Sequence, residues 1–328
     1  MFEPPKKNSL VSEIIGLSDA LSDRMEFHKK SHPIMRKMGE IDFLSEVFET
    51  NLKDEGYLKR KWSNYEIPFL YVYENNHFYI KYHIFPPVKS GDTEKAANII
   101  HHHNNYLLSS FTLFGPGYHT CHFGKEINET ADGKVDMSLT KDFFHGHGEI
   151  NIVESWEPHI VFNMADTTTT LVLWSPDKKL PTDGLRNHPL VKPFKKVIIA
   201  IIHALGLDKK VGVAPKGVKQ YYVEDGKVLS ITEEDYFATY KEQLGDEVSK
   251  NYVQAVCHFV QRMGYKNDAF VEQMLAKSDL PMAWKTWLPY LLTGESIPPL
   301  YGKEEINIPK KEIRLNDLRK AFNAQVPA

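Results

Sequence analysis

The chain has 328 residues, of which 42% are hydrophobic and 25% are charged, a composition typical of a soluble protein with one large domain or two ordinary ones. Its formal net charge of −3 excludes a strongly basic nucleic-acid-binding protein, and no nucleic-acid or membrane partner is expected. Two cysteines cannot form a disulfide framework, and no apolar segment follows the N-terminal basic pair, so a cytoplasmic protein without a signal peptide is expected.

Residues 1–62 are predicted to form a helical segment. Ser9–Glu13 resembles a helix-capping box, and apolar residues follow it at helical spacing as far as Leu21. A second helix is predicted over Asp42–Asn51. We expect these helices to pack on the outside of the domain that follows; a separate partner-binding helical domain is the alternative.

Residues 63–180 are predicted to form the main, β-rich domain. Aromatic and β-branched residues dominate after Trp62, and such residues are typical of strands. The turn at 74–77 predicts a hairpin, and Gly115-Pro116-Gly117 predicts a second turn. The predicted strands are Ile67–Tyr73, Phe78–Phe85, Leu107–Phe114, Tyr118–Phe123 and Thr167–Pro176.

Three histidines in two distant β-like runs are the main candidates for a functional site. In a strand over Ile99–Asn105, His101 and His103 point to one face because side chains alternate. His159 lies in a second β-like run. Three neutral imidazoles suit Fe, Cu, Zn or Ni and leave coordination positions open. Since the chain has 15 histidines, the alternative is that these are structural residues of a sheet.

The spacing around His159 resembles the second motif of the cupin superfamily, whose members are small double-stranded β-barrels that usually hold one metal. Gly148, His159 and Asn163 occupy matching positions, whereas Glu154 and Trp156 replace the proline and the second glycine. The resemblance implies a mainly β cupin barrel flanked by N-terminal helices and a C-terminal helical region.

The first cupin motif is also matched in part. His101 and His103 take its histidine positions, and Gly115 takes its last glycine position. Leu108 stands where the metal-binding glutamate usually lies, and Lys95 replaces the first glycine. The resemblance covers roughly residues 69–175 and implies a metal held by His101, His103 and His159 without a carboxylate.

A cupin with three histidines and no carboxylate resembles the thiol dioxygenases, cysteine dioxygenase and its relatives, which hold Fe(II) with three imidazoles. The resemblance implies one Fe(II) per chain, or another divalent transition metal, and O2-dependent oxidation of a small metal-chelating substrate. No arginine lies between Arg60 and Arg186 to bind an amino-acid carboxylate, and Leu108 replaces the cysteine that some relatives cross-link. Both departures argue against cysteine as the substrate. The residues expected to act in acid–base or hydrogen-bonding roles are Tyr106, Tyr118 and His119.

The segment His147-Gly148-Glu149 competes for the metal. It fits the His-x-carboxylate half of the facial triad found in 2-oxoglutarate-type Fe(II) oxygenases, with His188 or His203 as the distal histidine. Its glycines favour a turn over the mouth of the barrel instead. A metal-dependent cupin isomerase or lyase and a non-catalytic ligand-binding cupin are the alternative functions.

Residues 181–328 are predicted to be mostly helical with one hairpin. Val191–Leu205 is predicted to be an apolar helix, and Glu224-Asp225-Gly226 a hairpin turn. Trp284, Trp287 and Tyr290 recur every three residues, which indicates a helix-packing face. A helical cap or a homodimer interface is the expected role, and the expected partners are a small-molecule substrate and O2.

Overall fold

Helices lie at both ends of the chain, and strands occupy its middle. A computed structural model describes residues 9–63, 66–130, 134–177, 194–205, 217–233, 235–236, 246–302 and 313–322. The helices are α1 Ser9–Ala20, α2 Arg24–Lys37, α3 Ile41–Lys53, α4 Glu55–Leu58, α5 Lys195–Ala204, α6 Asp246–Arg262, α7 Asp268–Leu275, α8 Met282–Trp287, α9 Pro289–Thr293 and α10 Leu315–Ala321. The strands are β1 Phe69–Glu74, β2 Tyr79–Phe85, β3 Tyr106–Phe114, β4 Gly117–Phe123, β5 Asn128–Glu129, β6 Val135–Asp136, β7 Leu139–Gly146, β8 Ile150–Val153, β9 His159–Val161, β10 Thr168–Pro176, β11 Lys219–Glu224 and β12 Lys227–Thr232.

The strands form a five-stranded sheet in the order β1-β2-β10-β3-β8 and a three-stranded sheet in the order β7-β4-β9. All neighbours in both sheets are antiparallel. Side chains alternate along each strand, so Leu171 and Leu173 of β10 join the core shared with the helices, while Val172 and Trp174 form a cluster on the other face.

The inner faces of the two sheets are in contact. The hydroxyl of Ser110 on β3 lies 3.5 Å from the hydroxyl of Tyr118 on β4. The hydroxyl of Thr112 lies 3.4 Å from Nδ1 of His145 on β7. The described strands nevertheless form separate hydrogen-bonded sheets, so the closed barrel expected from the sequence is not shown.

Two sharp turns carry the chain from one sheet to the other. Residues 115–116 link β3 to β4, and residues 147–149 link β7 to β8. The turns lie side by side, because Gly117 pairs with Gly146. Gly115 and Gly117 have φ of 83° and 99°, in the region that favours glycine.

The Ile99–Asn105 segment differs from its prediction as a strand. It makes two isolated bridges, Ile100 to Tyr221 and His101 to His159. Asn104 has φ of 51° and turns the backbone immediately after His103, so a regular ladder cannot continue into β3.

The N-terminal helices pack on the outer face of the five-stranded sheet, as the sequence predicted. His28 of α2 is fully buried, and its Nδ1 and Nε2 lie 2.8 and 2.9 Å from the hydroxyls of Ser109 and Ser175. These hydrogen bonds join α2 to β3 and β10.

His28 is expected to make the free energy of unfolding depend on pH. Burial first, and then the Arg24 charge, lower its pKa from 6.5 to about 3. Below pH 6.5 the unfolded chain therefore binds a proton that the folded protein does not, and the free energy of unfolding falls as the pH falls towards 3. His28→Gln is expected to reduce this slope by up to about 1.4 kcal/mol per pH unit, measured by urea unfolding between pH 7.5 and 4.5. His147→Gln, at an exposed turn, is the control; equal slopes in the wild type and His28→Gln would contradict the prediction.

The C-terminal helices share the core of the N-terminal helices and the sheet. Trp284 is buried, and its indole N–H donates to the Leu58 carbonyl at 3.0 Å. The indole N–H of Trp287 donates to the Lys250 carbonyl at 3.0 Å. The predicted packing face is therefore confirmed for both tryptophans.

The remaining C-terminal predictions have different outcomes. The hairpin is confirmed as β11 and β12, and Asp225 and Gly226 both have positive φ at its turn. The boundary predicted at 180/181 lies outside the described residues, and the helix predicted from Val191 is described only from Phe194. Among the described helices, none combines the length and apolar character needed to cross a membrane.

Candidate metal centre

Three imidazoles converge between β9 and the segment that precedes β3. One nitrogen from each of His101, His103 and His159 lies within 4.8 Å of the other two. The Nε2 atoms of His103 and His159 are 3.1 Å apart, and the ring centroids of His101 and His159 are 4.3 Å apart. The backbone bridge between His101 and His159 fixes this approach.

Backbone carbonyls orient two of the rings. Nδ1 of His101 donates to the Ile99 carbonyl at 3.0 Å, and Nδ1 of His159 donates to the Glu157 carbonyl at 3.4 Å. A proton on Nδ1 leaves the lone pair on Nε2, which is the arrangement that metal-binding histidines adopt.

The closest pair of ligand nitrogens has the spacing of two ligands on one divalent transition metal. Two nitrogens bound to one metal at about 2.1 Å lie roughly 3.0–3.4 Å apart, and the His103–His159 separation is within this range. Burial is the main cause that lowers the pKa of all three imidazoles; neighbouring histidines lower it further for His103 and His159, whereas the hydrogen bond to the Ile99 carbonyl opposes the shift of His101. Neutral imidazoles are the form that binds metal. His101 and His103 keep part of their surface accessible to solvent, so a ligand can reach the centre.

A histidine–carboxylate pair stands beside His159. Nδ1 of His122 donates to the Glu157 carboxylate at 3.1 Å, and the rings of His122 and His159 are 5.9 Å apart. The amide of Asn151 donates to Nε2 of His122 at 3.1 Å. Glu157 therefore orients His122 through its side chain and His159 through its carbonyl.

Glu157 is ionised despite its burial. Burial raises the pKa of its carboxyl, but the hydrogen bonds from His122 and from the Glu154 N–H, with the charge of Lys141, lower the pKa to about 2. The Lys141 ammonium lies 3.2 Å from the same carboxylate. The Lys141 ammonium balances this charge, so Glu157 acts at the centre by orienting His122 and His159.

Sequence reasoning did not place His122 or Glu157 at the centre. No local signal marks them, because only the register of the folded sheet pairs His122 of β4 directly with His159 of β9. Residues paired in this way share a face of the sheet.

Tyr106 and Tyr118 lie on the inner side of the sheets. The N–H of Tyr106 donates to the His103 carbonyl at 3.1 Å, and its ring lies 6.5 Å from that of Trp174. Tyr118 contacts the His145 ring at 5.2 Å, and burial raises its pKa to about 12. Their catalytic roles stay predictions.

His119 lies on the opposite face of β4 from His122. Its Nε2 contacts the Asp142 carboxylate, which also accepts hydrogen bonds from two nitrogens of Arg319, at 2.7 and 3.0 Å. Cys121 completes a second group of metal-ligand-type atoms, but the guanidinium already neutralises Asp142. This group is an ion-pair network apart from the three-histidine centre.

His147 and Glu149 lie in the exposed turn between β7 and β8. The Glu149 carboxylate accepts a hydrogen bond from the Gly146 N–H at 2.7 Å. Neither residue belongs to a metal-ligand group found in the described part of the chain. His188 and the side chain of His203 lie outside the described residues.

Solved structures with partial similarity to this chain are cupin and double-stranded β-helix proteins. KdgF from Halomonas sp. is 12% identical over 36% of this chain and 89% of that chain, with a TM-score of 0.24. Oxalate decarboxylase from Bacillus subtilis is 14% identical over 44% of this chain and 35% of that chain, with a TM-score of 0.21. An RmlC-like cupin from Methanocaldococcus jannaschii is 14% identical over 36% of this chain and 83% of that chain, with a TM-score of 0.21. No protein-family model and no curated protein matches the chain. Structural similarity at these TM-scores does not assign a function to the chain.

The chemistry of the centre follows from its ligand set. Three neutral imidazoles leave the full charge of a divalent metal uncompensated and leave coordination positions open. An anionic ligand that binds the metal directly is therefore favoured. Trp174 forms one wall, because its ring contacts the His103 ring at 4.2 Å.

Proposed function

We propose that this protein is a metal-dependent enzyme, a non-haem Fe(II) oxygenase that oxidises a small metal-chelating substrate with O2. The convergence of ligand nitrogens from His101, His103 and His159 within 4.8 Å is the observation that carries the proposal. A bound iron ion would supply the Lewis acidity and redox chemistry for reaction with O2.

The residues around the centre have separate roles in this proposal. The Ile99 and Glu157 carbonyls hold two imidazoles in the metal-binding tautomer. Trp174 packs edge-on against the His103 ring and forms one wall of the centre. His122 carries a proton on Nδ1 and donates a hydrogen bond from it to the Glu157 carboxylate.

The second candidate is a metal-dependent isomerase or lyase that consumes no O2. The His122–Glu157 pair favours it, because a histidine oriented by a carboxylate can transfer protons during such a reaction. The two candidates differ in their use of O2 and share the metal centre.

Metal analysis combined with O2 uptake tests the proposal. Protein from an iron-fed culture is expected to hold about one iron per chain, and a panel of small chelating acids is expected to include one that drives O2 consumption in step with its own loss. Turnover without O2 consumption would favour the isomerase or lyase. Absence of bound metal after loading would contradict both candidates and favour a ligand-binding protein.

A further inference from the structure

The inner face of the five-stranded sheet carries a half-buried lysine. Lys81 of β2 pairs with Tyr71 of β1 and with Val172 of β10. Paired residues share a face, and Val172 and Trp174 lie on the inner face. The side chain of Lys81 therefore starts from the same surface as Trp174, which contacts the metal centre.

Aromatic rings surround the Lys81 ammonium. Its Nζ lies 4.7 Å from the ring centroids of Phe69 and Tyr71 and 4.8 Å from that of Tyr79. Among the ion pairs of the described residues none includes Lys81, and the Glu74 and Glu66 carboxylates act on its charge only from a longer distance. Burial lowers its pKa. Aromatic faces attract a cation but offer it no hydrogen-bond acceptor, so an anion that enters here would gain a charged hydrogen-bond donor.

A continuous aromatic surface joins this lysine to the metal centre. The rings of Tyr79 and Trp174 stack at 5.7 Å with an angle of 15°, and the far side of the surface is the contact of Trp174 with His103. Lys81 follows Tyr79 by two residues, about 6.7 Å along the strand.

Two buried polar atoms of β10 lie near this surface and have no hydrogen-bond partner in the described structure. Nε1 of Trp174 and the hydroxyl of Thr170 are buried without a hydrogen bond in the described structure. Both residues lie on the inner face, because they alternate with Leu171 and Leu173. Unpaired buried polar atoms are costly, and a ligand with oxygen atoms would satisfy them.

We propose that Lys81 binds a carboxylate of the substrate, whose opposite end chelates the metal held by His101, His103 and His159. The substrate is then a small planar carboxylate that lies along Trp174 and Tyr79. One end of the substrate contacts the Lys81 ammonium and the other contacts the metal, while its planar body packs along the rings of Trp174 and Tyr79. This inference rests on the proposed function, because the chelating end requires the metal centre.

Two matched probes test the charge at the Lys81 end. 4-Carboxybenzohydroxamate and 4-carbamoylbenzohydroxamate chelate a metal through the same hydroxamate and have similar shapes, but only the first has a carboxylate opposite it. Their dissociation constants are measured on the full chain loaded with Co(II) without O2, from the visible spectrum of the metal. The wild type is expected to bind the carboxylate probe about tenfold more tightly. Lys81→Met is expected to bind both probes equally and to keep the wild-type affinity for the carbamoyl probe.

The controls separate charge from folding. Lys81→Arg is expected to retain the preference for the carboxylate probe. If Lys81→Met fails to fold, Lys81→Gln replaces it and is expected to bind both probes equally. Lys30→Met removes a surface lysine that pairs with Glu26 and is expected to behave as wild type. Equal binding of both probes by the wild type, or a retained preference in Lys81→Met, would overturn the role of Lys81 while the metal centre stands. Failure of the wild type to bind Co(II) would overturn this inference together with the proposed function.

Discussion

Alanine in place of His159 is expected to abolish metal binding and every metal-dependent activity. His159 is 3% exposed, contributes one of three ligand nitrogens and forms the backbone bridge to His101. Loss of a residue that merely orients a ligand typically lowers metal affinity by about 10- to 100-fold, so loss of the ligand itself is expected to exceed about 100-fold. The measurement is metal content after loading and dialysis, with affinity from competition against a chelator.

His119→Ala is the matched control for this experiment. It also removes an imidazole beside the sheet, but from the face of β4 that carries the Asp142–Arg319 network. Its metal content is expected to equal that of the wild type. Undiminished metal in His159→Ala would remove His159 from the centre. Loss of metal in His147→Ala would move the centre to the turn between β7 and β8.

Gly117→Ala is expected to be strongly damaging to the fold. Gly117 has φ of 99°, and a Cβ atom there would lie 2.2 Å from the carbonyl oxygen of His145. The obstacle is backbone of the paired strand and cannot rotate away. We expect a loss of about 3 kcal/mol or more in the free energy of unfolding, measured by urea denaturation.

Gly148→Ala isolates the steric part of this effect. Gly148 also has positive φ, 80°, but a Cβ atom there would meet no heavy atom within 4 Å. Its expected cost is the backbone strain alone, about 1–2 kcal/mol. If both variants lose the same free energy, the close approach between β4 and β7 does not limit the residue at position 117.

Local sequence patterns were sufficient for five strands of the β-rich domain, β1 to β4 and β10, and for placing His101 and His103 on one side, but not for β7 and β8. The hairpin around residues 74–77 was predicted from adjacent residues, and it formed as β1 and β2. Alternation placed His101 and His103 on one side even though the segment makes only isolated bridges, because an extended backbone alternates its side chains without a ladder. The ligand roles of these histidines stay a prediction.

Residues brought to the centre by strand register could not be predicted in the same way. His122 is 35 positions from Glu157 in the sequence, and only the pairing of β4 with β9 makes them neighbours. His119 and His122 lie three residues apart on β4 and therefore on opposite faces of the strand. Both faces of β4 mix polar and apolar residues, so composition did not indicate which face meets the second sheet.

The environments of Lys81 and Trp174 could likewise not be predicted from the sequence around them. Nothing in the local sequence distinguishes Lys81 from a lysine at a solvated strand position. Its environment depends on β2 lying between β1 and β10, and the pairing of β1 with β2 places three aromatic rings around one ammonium group. Alternation along a strand assigns faces, whereas the identity of the neighbouring strand is a property of the whole fold.

The position of β10 has a consequence for biosynthesis. This strand lies between β2 and β3, yet the ribosome makes it after both. At roughly 5–20 residues per second, synthesis of residues 86–167 takes roughly 4 to 16 seconds. During that time the nascent chain displays two strand edges whose partner does not yet exist, and such edges are prone to pair with other chains. Yield of folded protein should therefore rise when translation is fast relative to encounters between chains, or when chaperones cover the waiting strands.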